Sequence, residues 1–117
     1  MARFDPVSYL PLTPAMFQVL VALADGEKHG YAIIKEIARR TDETVRLRPT
    51  TLYTVLKRFD ADGLVAESTV RPDPALDDER RRYYRLTDRG RAVALAEARR
   101  LADTLAFAQA VLKPRKV

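Results

Sequence analysis

Apolar residues recur along most of this chain at the three- and four-residue spacing of helices, in four separate blocks. In the first, Met16, Val19, Leu20 and Leu23 form one face, with Thr13 as cap, Pro14 in the first turn and Gly26 as the stop. A second block runs from about His29 to Arg40 and turns Ile33, Ile34, Ile37 and Ala38 inward. The third, residues 49–63, buries Leu52, Val55, Leu56 and Phe59 and ends at Gly63. Then the period changes. Leu64 to Val70 reads as a strand, and Arg81 to Leu86 reads as a second that pairs back on it across a loop holding Pro72 and Pro74. Val45 to Leu47, in the connector before the third helix, is a candidate short strand. Thr87 caps a last helix, with Asp88 in its first turn, that runs to about Leu112 and has Pro114 beyond it.

Helix, helix, helix, strand, strand, helix is the order of a winged helix-turn-helix. The expected fold is mainly α with a two-stranded β-wing, plus a C-terminal dimerisation helix. Residues 1–12, with Pro6 and Pro11, read as an N-terminal arm. Residues 13–86 form the winged domain, and 87–117 the dimerisation helix with its basic tail.

The polar side of the third helix is unusual. Thr50, Thr51, Tyr53, Thr54, Lys57 and Arg58 supply hydroxyls, one aromatic and two cations, while Asp60 and Asp62 wait until the last turn. Donors without carboxylates suit a polyanion groove, so these six are the candidate DNA-binding residues, each to a base edge or a phosphate. The plainer use of such a face is solvation.

A net charge of +5 fits an anionic partner, double-stranded DNA before a membrane surface. The longest apolar stretch, around Phe17 to Ala24, is too short to span a bilayer. The first residues lack the pattern of a signal peptide, and there is no cysteine, which together favour the cytoplasm. A single histidine, no cysteine, no paired carboxylates and no Gly-rich phosphate loop argue against an enzyme, a metal site or a cofactor.

Arg80, Arg81 and Arg82 open the returning strand; Arg80 and Arg82 share a side and are further DNA candidates, while the acids between Asp73 and Glu79 can also pair with these arginines and compete for them. His29 and Tyr31 open the second helix, which crosses the phosphate backbone in this motif, and are candidates for a phosphate contact or for packing. One of Tyr83 and Tyr84 faces the core. On the last helix Ala94, Ala98, Leu101, Leu105, Ala108 and Leu112 repeat at spacings of four and three, the seam of a helix pair, so a homodimer is expected.

Four clusters stand out: His29-Gly30-Tyr31 with Ile33, Thr51-Leu52-Tyr53 with Leu56, Gly63-Leu64-Val65, and Arg82-Tyr83-Tyr84-Arg85-Leu86-Thr87 with Gly90. Together they resemble the PadR family of bacterial transcriptional regulators. They span about residues 16–112, and the chain resembles the shorter members with one C-terminal helix. It departs from the pattern at Thr50, where the family usually has Gly, and at Arg48, where a smaller residue is usual. The resemblance implies a homodimeric repressor on a pseudo-palindromic operator, released by a small-molecule effector. Phe4, Tyr9, Phe17 and Phe107 are the aromatic residues available to line a pocket for a small aromatic effector. The competing reading is a winged-helix protein–protein interaction module without specific DNA binding.

Overall fold

Helix α1 (Pro14–Ala22) starts where its cap predicts, with the Met16 N–H donated to Thr13 Oγ1 at 3.1 Å. It ends before Gly26, because residues 23–25 tighten into a turn that keeps Leu23 buried. The computed structural model describes residues 3–68 and 82–114. A short extended piece, β1 (Lys28–His29), leads into α2 (Gly30–Arg40); α3 (Pro49–Ala61) follows. The wing is β2 (Val65–Ser68) and β3 (Tyr83–Leu86), and α4 (Asp88–Val111) ends the fold. Pro6–Tyr9 of the arm form a 3-10 turn.

The two-stranded wing forms as expected, and β1 adds a third strand at its edge, in the order β1-β3-β2, all antiparallel, with Lys28 opposite Tyr84 and His29 opposite Tyr83. One expectation is corrected. Val45 to Leu47 is not a strand. Val45 and Leu47 are half-buried against the core and Arg46 between them is exposed, so their alternation reflects two side chains inserted from a connector without a ladder partner. Among the described residues β2 begins at Val65, one residue after the apolar run does, and β3 begins at Tyr83, with Arg82 outside it; residues 69–81, including the expected loop and its prolines and the far ends of both expected strands, lie outside the described residues.

One core joins the elements. Val19, Leu20 and Leu23 meet Ile33 and Ile37 of α2, Leu52, Leu56 and Phe59 of α3, and Leu64, Val65, Tyr84 and Val93. Each such side chain contributes about 1.5–3 kcal/mol by leaving water. Tyr84 is the inward wing tyrosine, 5% exposed. Its burial, with Glu67 and Tyr53 nearby, pushes the phenol up to about 12.

Two turns set how the helices follow one another. Gly63 (φ 76) ends α3, and the Leu64 N–H bonds back to the Phe59 carbonyl at 2.8 Å. The same device ends α2, where the Glu43 N–H reaches the Ala38 carbonyl at 2.7 Å, yet Asp42 (φ 49) stands where glycine is usual. Relief of that left-handed backbone outweighs the extra chain entropy of glycine, so Asp42→Gly is expected to raise stability by about 0.5 kcal/mol, read from the urea midpoint at unchanged slope.

The arm lies along α4. Glu97, 1% exposed, accepts the Leu12 N–H at 2.7 Å and is paired with Arg100, whose Nη2 sits 3.2 Å from Oε2. The Arg100 hydrogen bond, against the cost of burial, holds the Glu97 carboxyl below the usual range. Its charge is thus compensated where the arm crosses the helix.

Candidate nucleic-acid interface

Helix α3 divides into two faces. Leu52, Leu56 and Phe59 are buried, Val55 is half-buried, and Thr50, Thr51, Thr54, Lys57 and Arg58 are exposed. Pro49 takes the first position and Arg48 the cap, with no side-chain bond to the first turn. The Thr50 and Thr51 amides therefore lack a side-chain acceptor at the positive end of the helix, where a phosphate oxygen would be favoured. Thr54 Oγ1 donates to the Thr50 carbonyl at 2.8 Å, a bond that leaves the oxygen lone pairs for another donor. Arg48, absent from the sequence-based candidates, is exposed beside this turn.

The flanks of α3 point to different neighbours. Tyr53, Lys57 and Asp60 face the wing across a groove shared with Glu67 and Arg82. Arg58 lies on the other flank, in a groove with Tyr9 and Thr13 of the arm and its junction with α1. Tyr53 is half-buried and packs on the start of α2. A Cβ on Gly30 would come within 2.5 Å of its hydroxyl and 2.9 Å of the ring. The glycine of the His-Gly-Tyr cluster and the tyrosine of Thr-Leu-Tyr are therefore two halves of one contact.

His29 caps α2. Its Nδ1 accepts the Ala32 N–H at 3.1 Å and its ring lies edge-on to Tyr83 at 5.6 Å. With Nδ1 accepting, the proton of the neutral ring is on Nε2, the nitrogen left to donate to a phosphate. Tyr31 is 49% exposed, with Lys35 Nζ 4.9 Å from its ring centroid, so it stands on the surface of α2.

The arginines near the wing do different jobs. Arg82 Nε is 3.2 Å from Glu67 Oε1. Arg80 and Arg81 lie outside the described residues, as do the acids from Asp73 to Glu79. Arg89 sits over the Phe4 ring at 4.9 Å, and Arg91 Nη2 donates to the Ala24 carbonyl at 3.0 Å. Both brace the fold, and Arg85 is exposed.

The seam on α4 splits at the domain edge. Ala94 packs against the core, whereas Ala98, Leu101, Leu105 and Leu112 are exposed and Ala108 is half-buried. Phe107 and Val111, each 60% exposed, form a second apolar row beside it that heptad counting missed. The four candidate effector residues are only partly brought together. Phe4 and Tyr9 pack against each other, ring centroids 5.8 Å apart. Phe17 lines a groove of about 320 Å³ with Leu95 and Ala98, and Phe107 lines another with Val111 and Leu112. A larger groove of about 670 Å³, between Val7, Leu10 and Pro11 of the arm and Leu95, Arg99 and Arg100 of α4, contains none of the four.

The model of the transcriptional regulator PadR-like family matches residues 19–96, from α1 into α4. The chain belongs to that family. The transcriptional regulator Rv3488 of Mycobacterium tuberculosis is 43% identical to this PadR-like protein over 89 residues, 75% of each chain. Among solved structures, a transcriptional regulator from Clostridium thermocellum has a TM-score of 0.70 at 24% identity, covering 88% of this chain and 100% of its own. A PadR family transcription regulator from Clostridium difficile R20291 has a TM-score of 0.63 at 22% identity, covering 83% and 96%. These two likenesses concern the fold, which is that of the winged-helix regulators. The PadR-like protein is a transcriptional regulator, not an enzyme, and DNA is the partner such regulation implies. Among the described residues no helix is long and apolar enough to cross a membrane.

Proposed function

We propose that the protein is a homodimeric, sequence-specific repressor that binds a pseudo-palindromic operator through α3 and the wing and is released by a small aromatic effector. The observation that carries this is the division of α3. Three apolar residues are fully inside, while three threonine hydroxyls and two cations stand outside with no acid before Asp60. A helix N-terminus without a side-chain cap supports the same reading, because it favours the phosphates that flank a groove.

Dimerisation rests on α4. Beyond Glu97 the helix continues for 14 residues, about 21 Å, past its last buried side chain. The stripe Ala98, Leu101, Leu105, Ala108 and Leu112 fits a second α4, and the Phe107 row widens the apolar face. Such a pair holds two copies of α3 about one DNA turn, roughly 34 Å, apart. An aromatic ligand in a groove that borders the pair, such as the one lined by Phe17, would release DNA by preferring a different crossing of the helices. Phe4, Tyr9 and Phe107 are the other aromatic candidates. The repressing sign follows the family resemblance.

The test is a salt titration of duplex binding with two variants. Arg58→Ala is expected to cost a selected site about 1–3 kcal/mol and random DNA much less, while Lys57→Ala weakens both alike and lowers the log–log salt slope by about one. Binding that is insensitive to salt and to both substitutions would favour the protein-interaction alternative. Unchanged operator binding across a panel of small aromatic ligands would remove the effector from the proposal.

A further inference from the structure

The groove between α3 and the wing is charge-balanced, which is unexpected beside a surface that meets a polyanion. It holds Lys57 and Arg82, and against them Asp60 and Glu67. Glu67 stands opposite Tyr84 in the β2–β3 ladder, and Arg82 lies two residues before Tyr84, so Glu67 reaches Arg82 along the sheet diagonal that faces α3. The Arg82 Nε to Glu67 Oε1 distance is 3.2 Å, with side chains 52% and 31% exposed.

An ion pair as exposed as this contributes little to stability. The wing does not depend on it, because the ladder from Val65–Leu86 to Ser68–Tyr83 and the buried Tyr84 ring already fix the strands. For DNA binding the carboxylate has a definite cost: it repels phosphate and occupies a guanidinium that phosphate would otherwise take.

We propose that Glu67 is a specificity-determining residue, an intramolecular counter-ion that withholds Arg82 from the DNA backbone until a duplex is seated closely enough on α3 for a phosphate to displace it. The inference rests on the reading that α3 and the wing bind DNA. A loosely docked duplex leaves the pair intact and gains nothing from Arg82. A well-fitted site brings its backbone to the wing and takes the guanidinium over. The pair therefore lowers affinity for random sequence more than affinity for the operator.

The experiment titrates the full-length protein, Glu67→Gln, Arg82→Ala and the double variant with a random-sequence duplex and a selected duplex over a range of salt. Glu67→Gln is expected to bind the random duplex about threefold to tenfold tighter, with a log–log salt slope steeper by about one. Its gain on the selected duplex is smaller, so discrimination falls. In the Arg82→Ala background most of the random-duplex gain disappears. An equal gain with and without Arg82 would overturn the proposal, since the carboxylate would then act by its own charge alone. So would a loss of thermal stability with no gain on random DNA, which would assign the pair to holding the wing. If the unsubstituted protein shows no salt-dependent duplex binding at all, the underlying DNA-binding reading fails as well.

Discussion

Replacing Leu101 and Leu105 together by glutamate is expected to yield a monomer and to weaken binding to a two-half-site operator by about 10²–10⁴-fold. The two residues are 39% and 57% exposed and lie on the part of α4 beyond Glu97, so the substitutions leave the core of the winged domain untouched. What they remove is the apolar seam, into which they place four carboxylates per dimer. Binding of a single half-site, which needs only one α3, is expected to change little. Sedimentation velocity and titrations with one- and two-half-site duplexes separate the effects. A variant that remains dimeric would show that α4 is not the interface.

Gly90→Ala is expected to be the most damaging single-methyl change in the chain. A Cβ on Gly90 would lie 2.0 Å from the Leu64 carbonyl oxygen and 2.7 Å from Leu86 Cδ1. The first is backbone and cannot rotate away. That carbonyl also accepts the Thr87 N–H at 3.1 Å, while Thr87 Oγ1 donates to the Gly63 carbonyl at 2.7 Å and accepts the Gly90 N–H at 3.0 Å. Four bare or hydrogen-bonded positions thus bolt the turn that ends α3 to the first turn of α4. Forcing them apart is expected to cost about 3 kcal/mol, a fall of roughly 10–20 °C in thermal midpoint. A midpoint within about 2 °C of the parent would contradict this close approach. In the proposed dimer this bolt would be the physical route by which a change in the α4 pair reaches α3.

Features fixed by neighbouring residues were legible in the sequence. Thr13 and Thr87 cap the helices they were assigned to, because a cap is a contact over three residues. Gly63 ends α3 for the same kind of reason. The buried face of α3 follows from its period. Features fixed across the fold were not legible. Lys28 and His29 have no strand signature; they join the sheet because β3 has a free edge where the chain enters α2. The partnership of Gly30 with Tyr53 spans two helices, and the glycine alone gave no hint of its partner. Arg89 and Arg91 follow from the sequence only as charges in the first turn of the last helix, yet one covers Phe4 and the other caps Ala24.

Glu97 was readable in principle. It follows Gly90 and Val93 at spacings of three and four, on the stripe that faces the domain, but a glutamate at such a place reads as solvent-facing until Leu12 and Arg100 are known to meet it. The α3 candidates divide similarly. Their exposure follows from the helical period, whereas the separation of Arg58 toward the arm and Lys57 toward the wing depends on what flanks the helix.

The most direct test of dimeric, sequence-specific DNA binding is selection of bound duplexes from a random pool by the full-length protein. The expected result is an enriched pseudo-palindrome with half-sites about 10–10.5 base pairs apart, centre to centre, or a multiple of that, retained less as salt rises. A pool that shows no enriched sequence, or a lone half-site bound by one copy, would contradict it.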